Sequence, residues 1–177
     1  MTPTFRRLLL LLALALPLLF VLGCEQPATT GTPKPPAAGT SAAPSGQAAQ
    51  DFTLTTLDGN KIALADLKGK PVLVNFWASW CHFCAQEAPD IEALYKQYHS
   101  QGLEVLGVGT DDPAALAKKA AELKITYPVG SDPDAARKYG VTGFPTTVVI
   151  NRQGEVVASL RGLRTKSELE SEIKKVM

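Results

Sequence analysis

The sequence is short of cysteine, histidine and net charge, and each shortage narrows what the chain can be. Its 177 residues include three cysteines and two histidines. Three is an odd number, which in an exported protein leaves one thiol over after pairing. Two histidines, His82 and His99, are few for a metal site built on imidazoles. Eighteen Lys and Arg stand against seventeen Asp and Glu, so the formal net charge of +1 carries no basic excess suited to nucleic acid. No apolar run reaches the roughly 20 residues that span a bilayer core as a helix. The longest, Leu8 to Leu22, is about 15 residues.

That run follows Arg6 and Arg7, and a positive start before a short apolar stretch reads as a secretory signal peptide over residues 1–23. It ends Val21-Leu22-Gly23-Cys24, which resembles a bacterial lipobox with cleavage after Gly23. Leu22 is not the usual small or β-branched residue there. On this reading Cys24 becomes the lipidated N-terminus, and several acyl chains on one residue anchor stably where one chain would not. The alternatives are a plain signal peptide with an unmodified Cys24, or an uncleaved anchor. Lipidation would leave a single pair, Cys81 and Cys84, outside the cytoplasm, where disulfides persist. Residues 24–49 are mainly Pro, Ala, Thr, Gly and Ser without apolar periodicity, and are expected to form a disordered tether.

From residue 50 to 177 the pattern is that of one globular domain. Asp51 to Leu57 and Lys61 to Leu64 flank Asp58-Gly59-Asn60 as a hairpin. Val72 to Trp77 reads as a buried strand, and Leu103 to Val108 as the next. Between them Ile91, Leu94, Tyr95 and Tyr98 mark a helix after Cys81. Asp112-Pro113 and Asp132-Pro133 each announce a helix start. A hairpin over Thr146–Ile150 and Glu155–Leu160 precedes a last helix, opened by Thr165 and Glu168 in capping-box register. This order predicts an α/β fold, a mixed sheet with helices on both faces.

Cys81-His82-Phe83-Cys84 falls between a buried strand and a helix N-terminus. Unpaired N–H groups and the positive end of the helix dipole stabilise a thiolate there. Cys81 is therefore expected to be the nucleophile, with a depressed pKa, and Cys84, one turn in, the shielded resolving thiol.

The run Asn75-Phe76-Trp77-Ala78-Ser79-Trp80 before that motif resembles the thioredoxin superfamily, and more closely its TlpA/ResA branch of exported, membrane-tethered oxidoreductases. The resemblance covers nearly all of residues 51–177. Asn75 stands where thioredoxins proper have a buried acid. Cys84 to Pro89 looks like the branch's Cys-x-x-Glu-x-Pro, and Gly143-Phe144-Pro145-Thr146-Thr147 like the loop whose proline is cis and faces the cysteines. The segment from about Pro113 to Tyr139 looks like the branch's extra helical insertion. The resemblance implies a thioredoxin-like sheet with an N-terminal hairpin and a central helical insertion. It also implies that Pro145 presents the Phe144 backbone to substrate, that Trp80 flanks the groove, and that Glu87 relays a thiol proton. Glu87 as a solvated helix carboxylate stays open. Pro89 is expected to kink its helix.

His82 and Phe83 depart from relatives that carry proline before the second cysteine. A protonated His82 would favour the thiolate and make the disulfide more oxidising; an exposed His82 without effect is equally compatible. Asn75, His82 and Phe83 are thus the residues expected to tune the redox poise. The reading is a lipid-anchored, extracytoplasmic reductant of protein disulfides in a bacterial envelope. It is expected to be a monomer, without cofactor or metal beyond the Cys81–Cys84 disulfide. The resemblance implies recharging by a membrane thiol-electron carrier and apocytochrome c as a client. A thiol oxidase is the first rival, and a copper metallochaperone using Cys81, His82 and Cys84 a weaker one.

Overall fold

The computed structural model describes residues 46–177. The expected signal peptide, Cys24 and the tether up to residue 45 lie outside the described residues. In chain order the elements are β1 (Gln47–Ala48), β2 (Thr53–Thr55), β3 (Lys61–Ala63), β4 (Val72–Trp77), α1 (His82–Tyr98) and β5 (Glu104–Gly109). Then come α2 (Pro113–Glu122), β6 (Val129–Ser131), α3 (Pro133–Lys138), β7 (Thr146–Ile150), β8 (Glu155–Arg161) and α4 (Lys166–Lys174). Six strands form one mixed sheet in the order β1-β8-β7-β4-β5-β6, and β2 pairs with β3 as a separate hairpin. Among the described residues no helix is long and apolar enough to cross a membrane.

Strand β4 is central, parallel to β5 on one side and antiparallel to β7 on the other. All six of its residues are buried, because helices and loops cover both faces of the sheet. Side chains alternate across a strand. Leu73 and Trp77 face a core that includes Ile91 and Leu94 of α1 and Leu169 and Ile173 of α4. Val72, Val74 and Phe76 face the opposite core with Phe52, Leu54 and Tyr139. The same alternation puts Asn75 on the α1 side, in the interior, where an amide needs partners.

Helix starts follow their capping chemistry. Asp112 accepts the Ala115 N–H at 2.9 Å and Asp132 the Ala135 N–H at 2.9 Å, each followed by proline. Thr165 and Glu168 form the reciprocal box that opens α4. Helix α1 continues through Pro89, which lacks only the donor that would have reached the Ala85 carbonyl.

One expectation needs correction and another an addition. The tether was expected to reach residue 49, yet Gln47 and Ala48 pair antiparallel with Val156 and Glu155. A glutamine and an alanine carry no periodic signal; the free edge of β8 supplies their order. The stretch from about Pro113 to Tyr139, expected as a helical insertion with two helix starts, has both helices and adds a strand that was not expected between them, β6, parallel to β5. Val-Gly-Ser is too short to show alternation. Gly130 within it is required by close packing, since a Cβ there would lie 2.2 Å from the Thr55 carbonyl oxygen. Gly130→Ala is expected to lower unfolding stability by about 1–3 kcal/mol, read as a lower urea midpoint. An unchanged midpoint would show that the hairpin moves aside freely.

Candidate active site

Chain reversal between β4 and α1 places the cysteines. Cys81 is the N-cap of α1, with extended backbone, and its Sγ accepts the Cys84 N–H at 3.1 Å. The two cysteines are joined as a disulfide, with Cα atoms 5.3 Å apart. Both are buried, Cys81 at 7% exposure and Cys84 at 3%. A sulfur at this position meets a backbone donor and the positive end of a 17-residue helix. That arrangement favours a thiolate at residue 81 over one at residue 84.

The turn before Cys81 is closed by the Cys81 N–H donating to the Ala78 carbonyl at 3.0 Å. Within it the Ser79 N–H donates to both carboxylate oxygens of Asp111, at 3.1 and 3.3 Å, and the Ser79 hydroxyl donates to the same group. Trp80 is left 71% exposed and stands edge-on to Phe144, with ring centroids 5.9 Å apart. The Phe144–Pro145 bond is cis. Its loop is held by the Thr146 hydroxyl on the Gly143 carbonyl, at 2.8 Å, and by the Gly162 N–H on the Pro145 carbonyl, at 2.7 Å.

Among the described residues the exposed large hydrophobics are Trp80, Phe83 and Leu163. Phe83 is in the first turn of α1, and Leu163 follows Gly162, which is bonded to the cis-proline loop. Trp80 and Phe83 thus flank Cys81 in the chain, and Leu163 is tied to the cis-proline loop through Gly162. His82 is exposed; its Nε2 lies 2.9 Å from the Gln86 amide nitrogen, and its ring is 5.9 Å from that of Phe83. The other histidine, His99, is at the far end of α1, about 25 Å away along the helix axis. Among the described residues no group of three His, Cys, Asp or Glu side chains is placed to hold a metal.

Beneath the pair lies a buried polar network. Glu87, one turn after Cys84 on the same face of α1, is 1% exposed. Its Oε2 accepts from Asn75 Nδ2 at 3.0 Å and from the Thr147 hydroxyl at 3.4 Å, and its Oε1 accepts the Arg164 N–H at 2.8 Å. Asn75 also donates to Thr147, its cross-strand partner on β7, at 3.0 Å. Burial pushes the Glu87 carboxyl up to about 7, against the hydrogen bonds from Arg164, Thr147 and Asn75 and the Arg164 guanidinium. The solvated-carboxylate alternative for Glu87 is thereby overturned, because α1 turns it into the sheet.

The structure brings together Asn75, Trp80, Cys81, His82, Phe83, Cys84, Glu87, Phe144 and Pro145, and adds Asp111, Thr147, Leu163 and Arg164. Thr147 was within reach of the sequence, as it alternates onto the Asn75 face. Nothing local to Asp111 or Arg164 signals their contacts, which cross 32 and 77 residues of sequence.

A CxxC at a helix N-terminus, set against a cis-proline loop on this sheet, defines a thioredoxin-like thiol–disulfide oxidoreductase. Comparison with known proteins gives the family. The model of the AhpC/TSA family matches residues 45–159. Thiol-disulfide oxidoreductase ResA of Bacillus thuringiensis subsp. konkukian is 35% identical over 134 residues, 74% of this chain and 78% of that protein. A solved thiol:disulfide interchange protein of Chlorobium tepidum TLS, a thioredoxin family protein, matches with a TM-score of 0.68 at 31% identity, over 77% of this chain and 99% of its own. The exposed lipoprotein thioredoxin of Streptococcus pneumoniae TIGR4 matches with a TM-score of 0.64 at 30% identity, over 71% of this chain and 99% of its own. The chain belongs to the AhpC/TSA family, among its ResA-like thiol–disulfide oxidoreductases.

Proposed function

We propose that this oxidoreductase is a lipid-anchored, extracytoplasmic reductant of protein disulfides. The observation that carries the reading is the Cys81 sulfur at the α1 N-cap above a buried Glu87 carboxyl. In the reduced form the Cys81 thiolate attacks one sulfur of a client disulfide. An S–S bond to Cys81 forms as the client bond breaks, and the departing client thiolate takes a proton from solvent. Glu87 then removes the Cys84 proton, and the Cys84 thiolate attacks Cys81 Sγ. The second client thiolate leaves, and the Cys81–Cys84 disulfide remains. Two electrons have passed to the client, so a thiol-electron carrier in the membrane must return two. No further cofactor enters this cycle.

Trp80, Phe83 and Leu163 supply apolar area for a protein client, and the Phe144 backbone beside cis-Pro145 offers hydrogen-bonding groups to an extended client segment. The anchor rests on the sequence around Cys24, and the pneumococcal relative described as an exposed lipoprotein fits with it. The family resemblance makes apocytochrome c the first client to test, with the chain acting as a monomer. Cys84→Ser is expected to accumulate mixed disulfides through Cys81, seen as adducts that dissolve on adding reductant. If Cys84→Ser yields no adducts in cells while Cys81 stays reactive, the client-reductase reading fails. Direction is read from the potential of the wild-type pair. A value near about −270 mV supports a reductant; one near about −120 mV makes the protein an oxidase.

A further inference from the structure

The first turn of α1 contains no acidic residue. The N-cap position and the Cys84 N–H both stabilise a Cys81 thiolate. Outside the helix, the carboxylate of Asp111 binds the turn that carries Cys81. Both donors of Ser79, its N–H and its hydroxyl, go to that carboxylate. Ser79 and Asp111 are half-buried, so the charge is less screened than one on the open surface.

Asp111 is itself braced from two sides. Its carbonyl accepts the Ser131 hydroxyl at 2.9 Å, tying it to the end of β6, and the next residue caps α2. The carboxylate is thus a rigid part of the sheet end. Ser79 is two residues from Cys81, which puts the charge on the order of 10 Å from the sulfur.

We propose that Asp111 is a positioning residue that sets the redox poise of the Cys81–Cys84 pair: it clamps the Ala78–Cys81 turn and opposes the Cys81 thiolate with a fixed negative charge. A destabilised thiolate destabilises the reduced form, so Asp111 lowers the potential of the pair and makes its dithiol form more reducing. The other ionisable groups around the pair are His82 in the first turn, Glu87 beneath it and Arg164 beside Glu87. Asp111 is bonded to the turn leading into Cys81 through both donors of Ser79. The inference deepens the proposed function at the same site. The wild-type potential decides the direction of electron flow, whereas the ratio between variants decides the role of Asp111.

The test is the equilibrium of the full chain with a glutathione buffer, in wild type, Asp111→Asn, Asp111→Glu and Ser79→Ala. Asparagine keeps an acceptor oxygen for Ser79 and removes the charge. Asp111→Asn is expected to favour the reduced form about threefold, or about 14 mV at 29.6 mV per tenfold. The Cys81 thiolate fraction below its midpoint, read by ultraviolet absorbance, should rise by a similar factor. Asp111→Glu restores the charge and should return the equilibrium toward wild type. Ser79→Ala keeps the charge and should stay within about 1.5-fold of wild type. At 1 M salt, where the Debye length is about 3 Å, the gap between wild type and Asp111→Asn should narrow. A folded Asp111→Asn with the wild-type equilibrium overturns the proposal, as does a full threefold shift in Ser79→Ala. Should Asp111→Asn fail to fold, Asp111→Ser takes its place, with the same threefold shift expected and an unchanged equilibrium overturning the proposal.

Discussion

Cys81→Ser is expected to bring disulfide reduction down to the uncatalysed background, a loss of at least about a thousandfold. A serine hydroxyl is not ionised near neutrality and forms no S–S bond, so the first covalent intermediate cannot exist. Cys84 does not replace it, because it is nearly buried at 3% exposure and sits inside the helix rather than at its N-cap. The measurement is turnover of a small disulfide-bonded protein with a dithiol as electron source, comparing wild type, Cys81→Ser and Cys84→Ser. Cys81→Ser should show neither turnover nor adducts, whereas Cys84→Ser should form adducts once and stop. Activity in Cys81→Ser above a tenth of wild type would mean that Cys84 opens client disulfides itself.

The second large effect concerns Glu87 and pH. Its folded pKa stands at about 7 against an ordinary 4.5, raised chiefly by burial. The folded state keeps this proton while the unfolded chain loses it, so the stabilising contribution is complete below about pH 4.5. It is lost as pH rises toward 7 and beyond. Each pH unit across that window is worth about 1.4 kcal/mol, so the whole loss is about 3 kcal/mol. Glu87→Gln removes the titration. The stability difference between variant and wild type should therefore shift by about 3 kcal/mol in favour of the variant between pH 4.5 and 8, measured by urea unfolding of the oxidised protein. The step in which Cys84 resolves the mixed disulfide should also lose its rise through pH 7 in Glu87→Gln. A stability difference that stays constant across this range would show that Glu87 does not titrate there.

Most of the fold was legible because it rests on local rules. The apolar run Val72–Trp77 is a strand because it is short, β-branched and bounded by turns, and it is buried because both faces are covered. The caps at Asp112, Asp132 and Thr165 are local as well, since each side chain reaches an N–H three residues on. Strand β1 was not legible, as its order comes from the edge of β8 rather than from Gln47 and Ala48. Strand β6 was hidden for a related reason. Three residues with a central glycine give no period, and the pairing with β5 and the packing of the hairpin decide them.

The candidate site divides along the same line. By itself the sequence determined the redox pair, its place at a helix N-terminus and the partner loop with Pro145, because these depend on spacing within one turn or on a motif of five residues. It also determined that Glu87 follows Cys84 by one helical turn. Only the tertiary structure decided that this turn points inward, where Asn75, Thr147 and the Arg164 N–H converge on the carboxylate and burial raises its pKa. Only the tertiary structure joined Asp111 to Ser79 and tied Gly162, next to the exposed Leu163, to the cis-proline loop. The physical reason is that charge and burial act through space. A carboxylate's environment is made by whatever strands and loops close around it, and those arrive from 12 to 77 residues away.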